Sequence, residues 1–492
     1  MKRVPVIILL SIICIANSYT QNEADALRYS RKFFGSTARS AGMGNAFASL
    51  GGDFSSLGYN PAGIAVFRTT ELTFTPAFSM DEISSRYMGL ERSDSKYDIG
   101  IYNLGLVTSF ISKRNSGWVS TNFGIGYNRH NNFNRNQVIE GVNFDSSIAD
   151  FFLAGPFGAN GTVPEALDPF WERLAFDTYI IDTVPGFVDW YETPVMLGQT
   201  QREVISTSGH TGEWLFSVGA NYGHKLYLGA TFGIESVNYE RKSRYSEFDE
   251  LNLSNFDQLL FTKDLSTTGT GFTFKLGAIF KPLEMLRLGG SIHLPTFYRL
   301  TDEYYHEMES WFNTGENYQA VPANQEGNPI GPRIKEYSMT TPFRVIGGVG
   351  LMLPGQLGVI SLDYEYVDYT AMRLRETDGG YDFYAENQII RDVYRPTGNL
   401  RAGAELRLGT FMLRGGYALY GSPFADDQIN TDASYTSYSA GIGFRESRFY
   451  VDLGYVYTTN EHFYYPYECA VLDPSFNQSG NNRFLLTMGF RF

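Results

Sequence analysis

Residues 36–65 read STARSAGMGNAFASLGGDFSSLGYNPAGIA, and what this stretch can and cannot do decides the fold. It is rich in Gly, Ala and Ser, poor in charge, and carries Asn60-Pro61-Ala62-Gly63 near its end. Apolar burial is worth about 25 cal/mol per Å², so side chains this small build no core of their own. The stretch is stable only when packed inside something larger. Its surroundings in the chain say what that is.

Upstream lies an export signal. Lys2 and Arg3 precede an apolar run over 4–16 that is too short to cross a bilayer as a helix, and small residues follow at Ala16 and Ser18. We assign 1–20 as a signal peptide. Cys14 lies inside it, behind Ile13, which is not the small residue a lipidation site needs. Cys469 is then left alone, without a disulfide partner or metal-ligand spacing. A short helix is expected over 21–34, leading into the quoted stretch.

Downstream, period-2 alternation begins and persists to the end. Fourteen strands are expected: 70–80, 101–111, 118–129, 213–223, 225–239, 269–281, 284–298, 341–353, 356–369, 395–408, 410–419, 434–445, 447–458 and 483–492. In 395–408, Leu400, Ala402, Ala404, Leu406 and Leu408 oppose Arg401, Gly403, Glu405 and Arg407. A strand puts such sets on opposite faces. Long connections (81–100, 130–212, 240–268, 299–340, 370–394, 420–433, 459–482) alternate with short ones such as Gly223-His224-Lys225 and Leu408-Gly409-Thr410. Long loops on one rim and tight turns on the other are the habit of transmembrane barrels, and an even strand number returns both termini to the turn side. The chain holds 34 Tyr, 38 Phe and 51 Gly, a composition suited to strands with one lipid-facing side. Trp118 and Trp214 stand where two aromatic girdles belong. The fold expected is all-β: a 14-stranded antiparallel transmembrane β-barrel plugged by an N-terminal hatch. The hatch covers 21–69 and the barrel 70–492, with one large insertion at 130–212.

The net charge of −14 argues against nucleic acid as a partner. Gly42-Met43-Gly44 lacks the third Gly of a dinucleotide fingerprint, and the six histidines show no metal spacing, so no cofactor, metal or catalytic residue is expected. His293 is the best base for a hydrolase reading, and a satisfied lumen residue is the better reading of it. The lumen polar set is Arg287, His293, Arg344, Asp363, Glu365, Arg401 and Glu405, with Lys275, Arg407, Arg414 and Asp452 alongside. Mixed charge of this kind braces a wall or a plug. Lumen-facing glycines (Gly124, Gly126, Gly219, Gly229, Gly277, Gly289, Gly403) leave room for an internal segment.

The segments Ala38-Arg39-Ser40-Ala41-Gly42-Met43-Gly44, Ala46-Phe47-Ala48 and Tyr59-Asn60-Pro61-Ala62-Gly63 resemble the N-terminal hatch of the FadL/TodX family of outer-membrane transporters for long-chain fatty acids and aromatic hydrocarbons. The resemblance continues through 341–370 and 399–424 and in the terminal Phe492. It implies a monomer in the outer membrane of a Gram-negative bacterium, in contact with outer-membrane lipid and delivered by the barrel-assembly machinery through Phe492. A hydrophobic small molecule would be caught by extracellular loops, pass a hatch marked by Arg39, Gly42, Gly44, Asn60, Pro61 and Ala62, and leave sideways through the wall. Gly124 and Gly126 are the expected opening. Phe151, Phe152, Phe170, Trp171 and Phe176 in the insertion are the expected ligand contacts, and they serve equally well as the insertion's own core. Two other readings stand beside this one: a shuttle or interaction protein for surface proteins, working through the insertion, and an outer-membrane hydrolase.

Overall fold

The computed structural model describes residues 23–112, 117–154, 158–377, 381–469 and 471–492, so the segment 1–20, expected to be a signal peptide, lies outside the described residues. Fourteen antiparallel strands form the wall. In chain order they are β1 (Glu71–Tyr87), β2 (Leu90–Ile111), β3 (Trp118–Asn132), β4 (Gln199–Tyr222), β5 (Leu226–Phe248), β6 (Phe256–Phe280), β7 (Leu286–His293, continued by Phe297–Phe312), β8 (Arg333–Thr340, continued by Arg344–Met352), β9 (Gly358–Asp368), β10 (Pro396–Leu408), β11 (Phe411–Tyr420), β12 (Tyr435–Arg445), β13 (Phe449–Tyr464) and β14 (Ser475–Arg491). Each pairs with the next, and β14 pairs with β1 from Glu71↔Arg491 to Arg86↔Phe476, which closes the barrel. The Phe492 amide donates to the Thr70 carbonyl at 2.9 Å and ties the two ends of the barrel together. Closure removes every edge, as a wall in lipid requires.

The alternation places side chains as the sequence implies. On β14, Phe484 and Phe490 face outward, whereas Leu485, Thr487 and Gly489 are buried. Trp118 packs on Tyr222 at the turn rim, and Trp214 on Tyr127 toward the loop rim, all on the outer face. At ~3.3 Å per residue these two aromatic levels lie about 25 Å apart along the strand, which fits an apolar band between two girdles.

Several loop boundaries differ from those expected. Residues 81–100 are not a long loop: β1 and β2 run on as a ribbon to a two-residue turn at Met88 and Gly89, both at positive φ. The insertion is shorter than 130–212, because Arg135–Asn143 and the first half of β4 are paired strand. Only 144–198 folds separately, as a cap with helices Ile148–Ala154 and Glu172–Asp177. Beyond the bilayer both faces of a strand meet water or loop. The apolar-out signal that marks a membrane strand therefore disappears there while the pairing continues. The expected strand 284–298 is interrupted at Pro295, and the expected strand 341–353 starts only at Arg344, after a break at Pro342 that parts it from Arg333–Thr340. Proline donates no ladder hydrogen bond. The two breaks lie side by side and are bridged by the Thr341 amide donating to the Thr296 carbonyl at 3.0 Å.

Residues 36–65 fill the lumen, and every one of them is buried except Gly52, which is half-buried. The segment enters through helix Glu23–Ser30 and includes the short helices Ala38–Gly42 and Ser56–Tyr59 and the 3-10 turn Pro61–Val66. Asn60 starts that turn. Its side-chain oxygen accepts from the Ala62 amide at 3.1 Å, and Pro61 occupies the first turn, where no N–H is needed.

Candidate functional site

Small residues on both sides bring plug and wall into backbone contact. A Cβ on Gly229 would overlap the Pro61 carbonyl, one on Gly289 the Ala48 carbonyl, and one on Gly403 the Met43 carbonyl. Gly42 and Gly44 meet the wall backbone in the same way, at Gly441 and Tyr417. The contact is then locked by polar bonds. Arg39 pairs with Glu405 at 2.9 Å, Arg401 donates to the Tyr59 hydroxyl at 2.7 Å, and the His293 Nε2–H donates to the Tyr59 carbonyl at 2.8 Å. Asp363 accepts from the Ala48 amide at 2.7 Å, and Arg287 donates to the Leu50 carbonyl at 2.8 Å. Arg344 binds Glu365 at 2.6 Å and also the Ser30 carbonyl. Glu365 touches the plug only through Arg344 and Arg401. Asn60 donates to the carbonyls of Ala48 (2.5 Å) and Ala278 (3.2 Å), joining plug to plug and plug to wall. All the expected lumen polar residues thus converge on the plug.

A second lumen cluster joins the expected Lys275 to residues outside the expected set. Lys275 binds Glu213 at 2.5 Å and the Gly58 carbonyl at 3.1 Å, His130 meets Glu213 at 2.9 Å, and Lys32 pairs with Glu235. The signal was present. Glu213 shares the inward phase of Ser217, Gly219 and Asn221, and Glu235 that of Gly229.

Above the plug lies a cavity of ≈ 460 Å³. Its floor is the helix Glu23–Ser30, through Ala24 and Arg28. Its walls are Phe151 and Trp171 from the cap, Phe261 and Lys263 of β6, Tyr304 and His306 of β7, and the β13–β14 loop at Tyr464 and Tyr467. Aromatic rings dominate, with Arg28, Arg241 and Lys263 as cations and Asp264 and Glu468 as carboxylates among them. Such a mixture suits a ligand with an apolar body and a polar or anionic end. The cap is anchored beside it by Glu247, which accepts from the Ser147 hydroxyl (2.5 Å), the Ile148 amide (2.8 Å) and the Tyr245 hydroxyl (2.7 Å).

Of the five aromatic residues expected to contact ligand, Phe151 and Trp171 line this cavity. Phe152 and Phe170 are buried in the cap, Phe152 against Phe261 and Phe170 against Tyr304, and Phe176 packs on Tyr191. Phe152 and Phe170 thus seat the cap on β6 and β7, and Phe176 packs within the cap. Gly124 and Gly126 face the lumen against Leu57, Ile64 and Phe54. The ladder runs unbroken through both glycines, with the register shifts of β3 flanking them at Trp118/Ser120 and Arg129/Asn131. Among the described residues no cluster of His, Cys, Asp and Glu is arranged to hold a metal ion.

The fold of this chain has counterparts among solved structures. A Pseudomonas aeruginosa FadL homologue superposes with a TM-score of 0.53 at 13% identity, covering 94% of this chain and 99% of that one. The Pseudomonas putida toluene transporter TodX gives 0.53 at 12% identity over 94% and 99%. This is the FadL/TodX fold. No protein-family model matches the sequence, and no curated protein matches it. At these identities the likeness to FadL and TodX establishes the fold alone, and the ligand has to be argued from the site.

Proposed function

We propose that the protein is a passive outer-membrane transporter for hydrophobic small molecules, either long-chain fatty acid-like or aromatic. The observation that carries this is the aromatic cavity of ≈ 460 Å³ standing directly on the lumen-filling segment. TodX, of the same fold, is named as a toluene transporter, which supports an apolar cargo. The cap cavity takes the ligand from outside, with Arg28, Arg241 and Lys263 available to its polar end. The segment 21–69 acts as a hatch that the ligand passes by local rearrangement. A sideways exit into the membrane at the level of Gly124 and Gly126 belongs to this reading, and opening there requires Phe54, Leu57 and Ile64 to withdraw. The first 20 residues serve as the signal peptide, and the barrel works as a monomer in the outer membrane.

The test is uptake of a labelled long-chain fatty acid and of toluene by cells producing the protein. Phe151→Ala with Trp171→Ala should reduce uptake several-fold at unchanged barrel level. Phe176→Ala, away from the cavity, should reduce it far less. Equal uptake by cells with and without the protein would end the proposal. One observation favours a second reading: Phe187, Val188 and Trp190 are more than half exposed on the cap. A surface protein that co-purifies with the barrel and is lost on deleting 144–198 would support a shuttle role instead.

A further inference from the structure

The rim with the tight turns holds a cavity of ≈ 500 Å³ between the plug and the wall. Six guanidinium groups line it: Arg39, Arg68, Arg287, Arg407, Arg445 and Arg491. Arg414 stands behind, bound to Glu405 at 2.9 Å and Asp452 at 2.7 Å. The carboxylates nearby are already shared. Glu405 serves Arg39, Arg407 and Arg414, and Glu71 serves Arg491 at 2.9 Å and the Tyr450 hydroxyl at 2.7 Å. Asp452 reaches Arg445 only at 3.6 Å, and Asp53 is taken up by the Thr37 and Ser55 hydroxyls at 2.7 Å. Two cations have no carboxylate partner among the described residues. Arg287 holds only the Leu50 carbonyl, and its Nε is buried without a partner. Arg68 is exposed and makes no hydrogen bond or ion pair to the other described residues. A chain with a net charge of −14 thus concentrates unneutralised positive charge at one mouth of its lumen.

We propose that this vestibule is an anion-binding site that takes a single carboxylate or phosphate group. Guanidinium forks match both groups in geometry, and charge-assisted hydrogen bonds are the strong ones. Leu50, Val66 and Phe67 form an apolar wall beside the cations. A head group carrying a short apolar segment is therefore accommodated as well as a free anion. The anion has two sources to distinguish: the acid head of an amphiphile that passes the hatch to this rim instead of leaving through the wall, or free phosphate. The first source rests on the transport reading, whereas the site itself does not.

The experiment uses full-length barrel in a neutral detergent, titrated calorimetrically with decanoate, inorganic phosphate and decanol. Arg68→Gln combined with Arg287→Gln should weaken the anions about tenfold, the equivalent of one charged hydrogen bond at ~1.5 kcal/mol, and should leave decanol unchanged. Arg68→Gln alone, at an exposed position without a partner, keeps the test valid if the double variant fails to assemble, and should weaken the anions to a smaller extent. Decanoate displacing phosphate assigns the amphiphile as a source, and phosphate binding without decanoate binding assigns the free anion. Affinities for both anions equal in wild type and both variants would overturn the site. If the arginine dependence holds in a protein that gives cells no hydrophobic uptake, the transport reading falls and the vestibule stands. If uptake occurs and the anions are indifferent to the variants, only the vestibule falls.

Discussion

His306 shows how one residue ties the cap to the barrel. Its Nδ1–H donates to the Phe170 carbonyl at 2.8 Å, and its ring packs on Trp171 at 4.5 Å. It sits on the water-side extension of β7, well beyond Phe297, whose partner Phe272 lies at the level of Trp214. Burial holds its pKa down at about 3, against the smaller upward pull of the Phe170 hydrogen bond. An unfolded histidine titrates near 6.5. Between those values the unfolded cap binds the extra proton, so the stability from this site is complete above about pH 6.5 and is lost as pH falls toward 3. Protease cleavage within 144–198 should therefore be faster at pH 4.5 than at pH 7.5. His306→Gln keeps a donor for Phe170 without a titrating ring and should shrink that difference; an undiminished pH effect would remove His306 as its cause. Glu405 makes the complementary case in the lumen. Three arginines share its carboxylate, and a buried ion group of this kind is costly to break once formed.

At the level of elements, the plug is shaped by what the strands omit. Gly229, Gly289 and Gly403 let carbonyls of the plug lie directly on the wall. A side chain at Gly403 would displace the Met43 carbonyl, which is backbone and has no rotamer to yield. Gly403→Val should therefore detach the helix Ala38–Gly42 from the wall and raise conductance in planar bilayers, while heat-modifiable migration still reports a folded barrel. Gly347→Val, on the outer face where a Cβ meets no atom within 4 Å, is the control and should leave conductance unchanged. The strand ends behave differently from the plug contacts. Inside the bilayer, alternation in 395–408 marks β10 almost to the residue. Outside it, the β1–β2 ribbon and the upper halves of β4, β5 and β6 carry polar residues on both faces and read as loop. The proline breaks in β7 and β8 lie at the junction between these two regimes.

For the whole molecule, the question is whether the plug can leave. Its links to the wall include Arg39–Glu405, Arg401–Tyr59, His293–Tyr59, Asp363–Ala48, Arg287–Leu50 and Lys275–Gly58. At roughly 1.5–3 kcal/mol per charged hydrogen bond the set is worth on the order of 10 kcal/mol. At ~1.4 kcal/mol per tenfold, an ejected plug would be populated at on the order of 10⁻⁷. Small shifts of single segments cost far less, so the proposed transport route needs local rearrangement of the plug and not its ejection. Deleting 36–65 should leave an assembled barrel that leaks small polar solutes, and single-channel recording would show it. A deletion variant as tight as wild type would mean that this segment is not the seal.

The sequence by itself determined the barrel, its even strand number, the outward and inward faces and the location of 36–65 inside. The faces and the inside location follow from local rules: period-2 alternation, turn chemistry, and the inability of Gly, Ala and Ser to form a separate core; the number fourteen rests also on the FadL/TodX resemblance. It also put Arg401, Glu405 and Asp363 on the lumen side. Only the tertiary structure decided which plug atom each of them holds, because partners such as Arg39 and Glu405 are far apart in the chain and meet only on closure. The same holds for the split of the cap aromatics into cavity lining (Phe151, Trp171) and core (Phe152, Phe170, Phe176). Apolar side chains obey one burial rule in both roles, and only the packing around them shows which face is left open.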